Sequence, residues 1–97
     1  MKFMLTARFK DSFYALPPAK LKELMDASAQ LIEKWTKEGT LKEIYYLGNM
    51  KGVMAIYDLN SSEDIARLAQ SPAFPFMDGE ITPLVEIDAA RKVQTKK

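Results

Sequence analysis

The stretch LKEIYYLGNMKGVMAIYDL, Leu41 to Leu59, decides the architecture of this chain. Leu41 to Leu47 and Val53 to Leu59 are rich in Tyr, Ile and Val, residue types that suit a pleated strand. Between them GNMKG offers two glycines and Asn49, a composition fit for a short hairpin loop. Two antiparallel strands are therefore predicted in mid-chain.

Working outward, Phe3, Leu5, Ala7 and Phe9 alternate with Lys2, Met4, Thr6 and Arg8, the period of two of a first strand. After DSFYALPP, Pro17 and Pro18 suit a helix start. Leu21, Leu24, Ser28, Leu31, Ile32 and Trp35 then recur at helical spacing, and Gly39 supplies the stop. Downstream, Ser61 or Ser62 caps a second helix with Glu63 and Asp64 at the positive end of its dipole and Ile65, Leu68 and Ala69 as its apolar face, ending near Gln70. Glu80 to Ile87 alternates as a fourth strand, and DAARKVQTKK reads as a polar surface tail. Residues 1–88 thus form one domain, with a basic tail over 89–97.

The order is βαββαβ. This α+β pattern closes naturally as a ferredoxin-like fold, a four-stranded antiparallel sheet with both helices on one face. Pro83 agrees, because a proline is tolerated in an edge strand and this topology puts the fourth strand at an edge.

Composition removes whole classes of chemistry. The 97 residues carry a formal net charge of +1, which gives no field to attract nucleic acid or anionic lipid. The basic cluster from Arg91 to Lys97 lacks interleaved aromatics, so no nucleic-acid partner is expected. With no cysteine and no histidine, thiolate chemistry, disulfides, the commonest metal ligand and the commonest general base are all missing. The four glycines are scattered and cradle no phosphate. No metal and no cofactor are expected. The first residues alternate instead of forming a signal sequence and no apolar run approaches a membrane span, so a cytoplasmic location is the expectation.

If Phe3, Leu5, Ala7 and Phe9 face the helices, the other face of the sheet shows Met4, Thr6 and Arg8, with Thr82 and Leu84 from strand four. Tyr45 or Tyr46, and Tyr57, lie at or near it. Such a mixed surface fits a pocket lining or a partner-covered face, and self-association with two sheets face to face is inferred; a half-exposed antiparallel sheet is the alternative. In SPAFPFMDGEITPL, Ser71 to Leu84, Pro72 and Pro75 fix φ, so that Phe74 and Phe76 can be held against the sheet end or a neighbouring subunit. Each ring, if buried, contributes roughly 1.5–3 kcal/mol.

FPFMDGEITPL from Phe74 to Leu84, together with KEGT (Lys37 to Thr40), PPAK (Pro17 to Lys20) and YDLNSSE (Tyr57 to Glu63), resembles the muconolactone isomerase family in order over nearly the whole chain. That resemblance implies a ferredoxin-like unit pairing as a dimeric α/β barrel and assembling further into rings. It also implies movement of a proton within an unsaturated lactone, without cofactor or metal.

Candidate residues follow. Arg8 can hold a substrate carboxylate in bidentate fashion or serve as a rim arginine paired across an interface. Asp78 can be a base whose pKa burial has raised, or a turn residue satisfying backbone amides. Tyr14 can lid a pocket and donate a hydrogen bond, or simply pack. Met4, Thr6, Phe74 and Phe76 are candidates for the binding wall, and Tyr45 and Tyr57 for donors or plain sheet stabilisers. Ser28 joins them, at the place where the family's first helix tends to carry an acidic residue. The leading reading is a small cofactor-independent enzyme, isomerising or cyclising a small unsaturated organic acid or lactone by proton transfer. The alternative is a non-catalytic small-molecule-binding or oligomeric scaffold protein of the same fold.

Overall fold

In the computed structural model, which describes residues 1–95, strand β1 (Lys2–Phe9) lies inside the sheet and bonds on both flanks. Its neighbours are β3 (Gly52–Asp58) and β4 (Met77–Pro83), with β2 (Leu41–Tyr46) beyond β3, giving the order β2-β3-β1-β4. All three pairings are antiparallel. Directly opposed residues share a face of the pleat. Leu5 with Ala55 and Ile81, and Ala7 with Val53 and Gly79, therefore point one way. Met4 with Ile56 and Thr82, and Thr6 with Met54 and Glu80, point the other.

The first set faces the helices. Helix α2 (Pro18–Glu38) begins on Pro18, whose missing N–H is no loss at a first helical position, and ends on Gly39 at φ 80°. There the Gly39 and Thr40 amides donate to the Thr36 and Trp35 carbonyls. Helix α3 (Ser62–Arg67) is capped by the Ser61 hydroxyl, which accepts from the Asp64 amide, and runs on into a 3-10 turn to Gln70. Trp35, Leu41, Ala55, Tyr57, Leu59 and Leu68 form the core, with Ile65 of α3 packed against it. The Trp35 and Tyr57 rings meet edge to face at 6.1 Å, a geometry worth about 0.5–1.5 kcal/mol beyond its buried area.

Four details differ from the expectations. Strand β4 starts at Met77 and stops at Pro83, instead of running from Glu80 to Ile87, because its partner β1 begins at Lys2, whose carbonyl takes the last bond between them from the Leu84 amide. The polar tail expected over 89–97 is helical in its described part, as α4 (Ile87–Thr95), for Ala89, Ala90, Arg91 and Lys92 are good helix formers. A one-turn helix α1 (Asp11–Tyr14) interrupts the loop before α2, because Phe13 stacks on Phe9 at 4.3 Å and draws the backbone in. In the hairpin loop the left-handed position falls to Met50, at φ 60°, and not to either glycine. The Asn49 side chain steadies that turn by accepting from the Lys51 amide at 3.0 Å.

Gly52 sits where β3 passes β1 most closely, and a Cβ there would overlap the Ala7 carbonyl oxygen. Gly52→Ala is expected to lower stability by about 1–3 kcal/mol in urea unfolding. Gly48→Ala, whose Cβ meets nothing, is expected to stay within about 0.5 kcal/mol.

Candidate active site

Small residues on the sheet and large ones on the helix leave a space between them. Ala7 and Gly79 oppose each other on the inward face, so the floor rises no higher than a methyl group there. Even a Cβ at Gly79 would sit 3.3 Å from Leu5 Cδ1, which shows how closely the floor itself is packed. Above it, Leu24, Ser28, Leu31 and Trp35 of α2 form the roof, and Phe9 and Phe13 close one side. The resulting chamber has a volume of about 220 Å³, room for one small ring compound. Its outer rim is apolar too: Met25 and Phe74 are 41% and 54% exposed.

Polar groups in the wall are few. They are the hydroxyls of Ser28 and Ser71, the phenols of Tyr46 and Tyr57 and the indole of Trp35; among the described residues no Asp, Glu, Lys or Arg lines the chamber. The Ser28 hydroxyl is buried and has no hydrogen-bond partner among the described residues. In the same helix Thr36 donates to the Ile32 carbonyl at 2.7 Å, the usual recourse of a helical hydroxyl. Ser28 lacks that bond, and a buried hydroxyl without a partner costs about 1–3 kcal/mol. Burial also pushes the Tyr57 phenol up to about 12, so it is a neutral hydrogen-bond donor across the physiological range.

The residues singled out from sequence fall in two places. Ser28, Tyr57 and Phe74 line the chamber. Tyr57 had been expected at or near the open face, but its register opposite Phe3 turns it inward. Met4, Thr6, Arg8, Tyr45 and Asp78 lie on the opposite side of the sheet. There Arg8 and Asp78 oppose each other across β1 and β4, and Tyr45 donates to Glu43 at 2.8 Å, a bond that raises its pKa. Asp78 is a strand residue with its side chain 81% exposed, 3.8 Å from Lys10, so neither the buried base nor the turn residue describes it within one chain. Tyr14 packs edge-on against Phe9 and Phe13, behind the chamber wall. Phe74 and Phe76 form a 3-10 turn in which Phe76 is half-buried while Phe74 stays mostly exposed, so the expected burial of both rings is not met within one chain. Sequence reasoning missed the inward wall itself, including Leu24, Phe13 and Tyr46. The signal was present in the small residues Ala7 and Gly79, which mark the sheet as low at that point.

A shallower groove is lined by Met1, Lys2, Asp58, Leu84, Val85 and Glu86. The Met1 ammonium lies 3.0 Å from Asp58 and holds that carboxyl below its ordinary range. Among the described residues no cluster of three or more His, Cys, Asp or Glu could hold a metal, and no helix is long and apolar enough to cross a membrane.

Fold and chamber together define a ferredoxin-like α+β protein with an apolar, partly open chamber between helix and sheet. The family profile described as muconolactone delta-isomerase matches residues 1–89. The crystal structure of a muconolactone isomerase superposes with a TM-score of 0.75 at 27% identity, covering 89% of this chain and 90% of that one. A second crystal structure, of protein Atu4242 from Agrobacterium tumefaciens, is 19% identical with a TM-score of 0.45, covering 90% of this chain and 96% of that one. No curated protein matches significantly. The chain belongs to the muconolactone delta-isomerase family.

Tyr57 gives the site a measurable signature. Its folded pKa exceeds the ordinary value of 10.0, so the neutral form is favoured in the fold; the associated stability is complete below pH 10 and is lost as pH rises towards about 12. A loss of about 2–3 kcal/mol over that interval is expected in alkaline unfolding series, and Tyr57→Phe should flatten it.

Proposed function

We propose that this chain is an isomerase that moves a proton within a small unsaturated lactone held in the chamber. The reaction is a 1,3-shift. A proton leaves one carbon, the double bond migrates by one position, and a proton is added at the far end of the three-carbon unit. Nothing is lost or gained overall, and the oxygen that takes up negative charge on the way needs hydrogen-bond donors aimed at it. The observation that carries this reading is the buried, unpartnered Ser28 hydroxyl in the wall of an otherwise apolar chamber, in a chain of the muconolactone delta-isomerase family. Tyr57, neutral and lining the chamber from the sheet, is a second donor.

Among the described residues the chamber offers no carboxylate or amine to carry the proton. That composition favours a second reading, a binding protein that holds the lactone without transforming it. Arg8 and Asp78 retain their proposed roles, anion anchor and acid/base, for a ligand lying against the open face. Met4, Thr6, Met54 and Ile56, all half-buried at the centre of that face, support pairing of two chains through their sheets, which would seclude it.

Muconolactone incubated with the protein and followed by ultraviolet absorbance is expected to isomerise. Ser28→Ala should reduce kcat/KM about ten-fold, the weight of one hydrogen bond in a dry site. A loss confined to Arg8→Ala and Asp78→Asn would move the reaction to the open face, and a lactone bound but never transformed would establish the binding protein. Light scattering is expected to report at least a dimer at micromolar concentration, and a monomer would remove the pairing.

A further inference from the structure

We infer that Gly79 determines specificity: it keeps a trough open across the inward face at the β4 edge, and the trough admits an unsaturated lactone carrying an apolar branch on its ring. The inference rests on the reading of the chamber as the substrate site and narrows the class of lactone it takes.

Successive rows of side chains cross that face. Phe9 opposes Met77 in one row, Ala7 stands between Val53 and Gly79 in the next, and Leu5 stands between Ala55 and Ile81 in the one after. Rows on one face lie two residues apart, about 6.5–7 Å along the strands. The middle row therefore falls from Val53 through a methyl group to bare backbone, with taller rows on either side. It ends at β4, an edge strand, so the trough runs out to solvent there. Helix α2 comes nearest the sheet along β2, at the opposite edge, and leaves this end less covered. Gly79 is exposed although it faces the helices, and so are Ile81 and Phe74, which line the same chamber.

The backbone does not require a glycine at this position. Gly79 holds ordinary strand geometry, the left-handed glycine being Gly39. Nor does a main-chain group press on it, as the Ala7 carbonyl does on Gly52: a Cβ at Gly79 would meet side chains first, Leu5 Cδ1 at 3.3 Å and Ala7 Cβ at 3.7 Å. Leu5 could make way by a few tenths of an ångström, so packing alone would tolerate an alanine. A glycine inside a strand weakens it, and with no turn and no main-chain approach to demand one, the close passage of a ligand over the strand is the remaining reason. The trough is bordered by Phe9, Met77, Leu5 and Ile81, all apolar, so the part of the ligand that lies in it is hydrocarbon. Each methylene buried there raises affinity about four-fold.

Two probes test this: muconolactone, and the same molecule with a propyl group on the middle carbon of its three-carbon unit, which neither loses nor gains the proton. Binding to the full chain is read by quenching of Trp35, which lines the chamber, and turnover by absorbance. The propyl compound is expected to bind at least about ten-fold more tightly. Gly79→Ala should cost the propyl compound more affinity than it costs muconolactone, and Gly79→Val should erase the preference. If the valine variant fails to fold, as read by circular dichroism, the alanine variant carries the test. Equal binding of the two compounds to the unaltered chain, binding of neither, or an equal loss of both in Gly79→Ala overturns the inference. Preference for the propyl compound without isomerisation of either leaves the trough standing and removes the isomerase reading, and isomerisation of muconolactone with no preference for the branch does the reverse.

Discussion

The strict alternation of β1, bonded on both flanks, is the constraint on which the remaining structure depends. A strand inside a sheet cannot slip by one residue without exchanging every side chain between its faces. Phe3, Leu5, Ala7 and Phe9 are thereby committed to the helices, and Met4, Thr6 and Arg8 to the other side. The pairing partners inherit the same division. Ala55 and Tyr57 go to the core with Leu5 and Phe3, while Met54 and Ile56 go to the open face.

That division separates two kinds of chemistry by the thickness of one sheet. On the helix side lie aliphatic and aromatic walls with a few hydroxyls, a surrounding in which a single hydrogen bond has high leverage because water does not compete for it. On the other side Arg8, Asp78, Glu80 and Glu43 stand in reach of solvent, and their attractions are correspondingly weak. The chamber owes its volume to the opposed pair Ala7 and Gly79, and its height to the bulk of Trp35, Leu5 and Phe9 around them. The architecture sets where the space lies; the inventory of side chains sets how polar it is.

Much of this was legible in the residues. The alternation of Lys2 to Phe9, the proline start and glycine stop of α2, and the edge position of Pro83 each state a local rule that tertiary packing did not override. The phase of β3 was not legible, since VMAIY is apolar on both faces and either could have been inward; its register with Phe3 decides that Tyr57 is buried. The end of β4 depended on the length of its neighbour and not on its own pattern. Helix α4 was hidden by its polarity, because charge suggested a tail where backbone propensity favoured a helix. Ser28 could be placed on a helix from spacing alone, but that its hydroxyl would lack a partner is a property of three dimensions.

The topology also has a temporal side. Strand β1, which precedes the other three in the chain, pairs with β3 and β4, the later ones, and never with β2. Until β3 is complete, β1 has no strand beside it and its phenylalanines have only the preceding helices α1 and α2 to lean against. Contacts this distant along the chain form late and slowly. The floor of the chamber is finished only with Gly79, on the last of the four strands in chain order. The chamber is therefore a property of the finished sheet: any ligand held there can stabilise the completed fold but cannot guide its making.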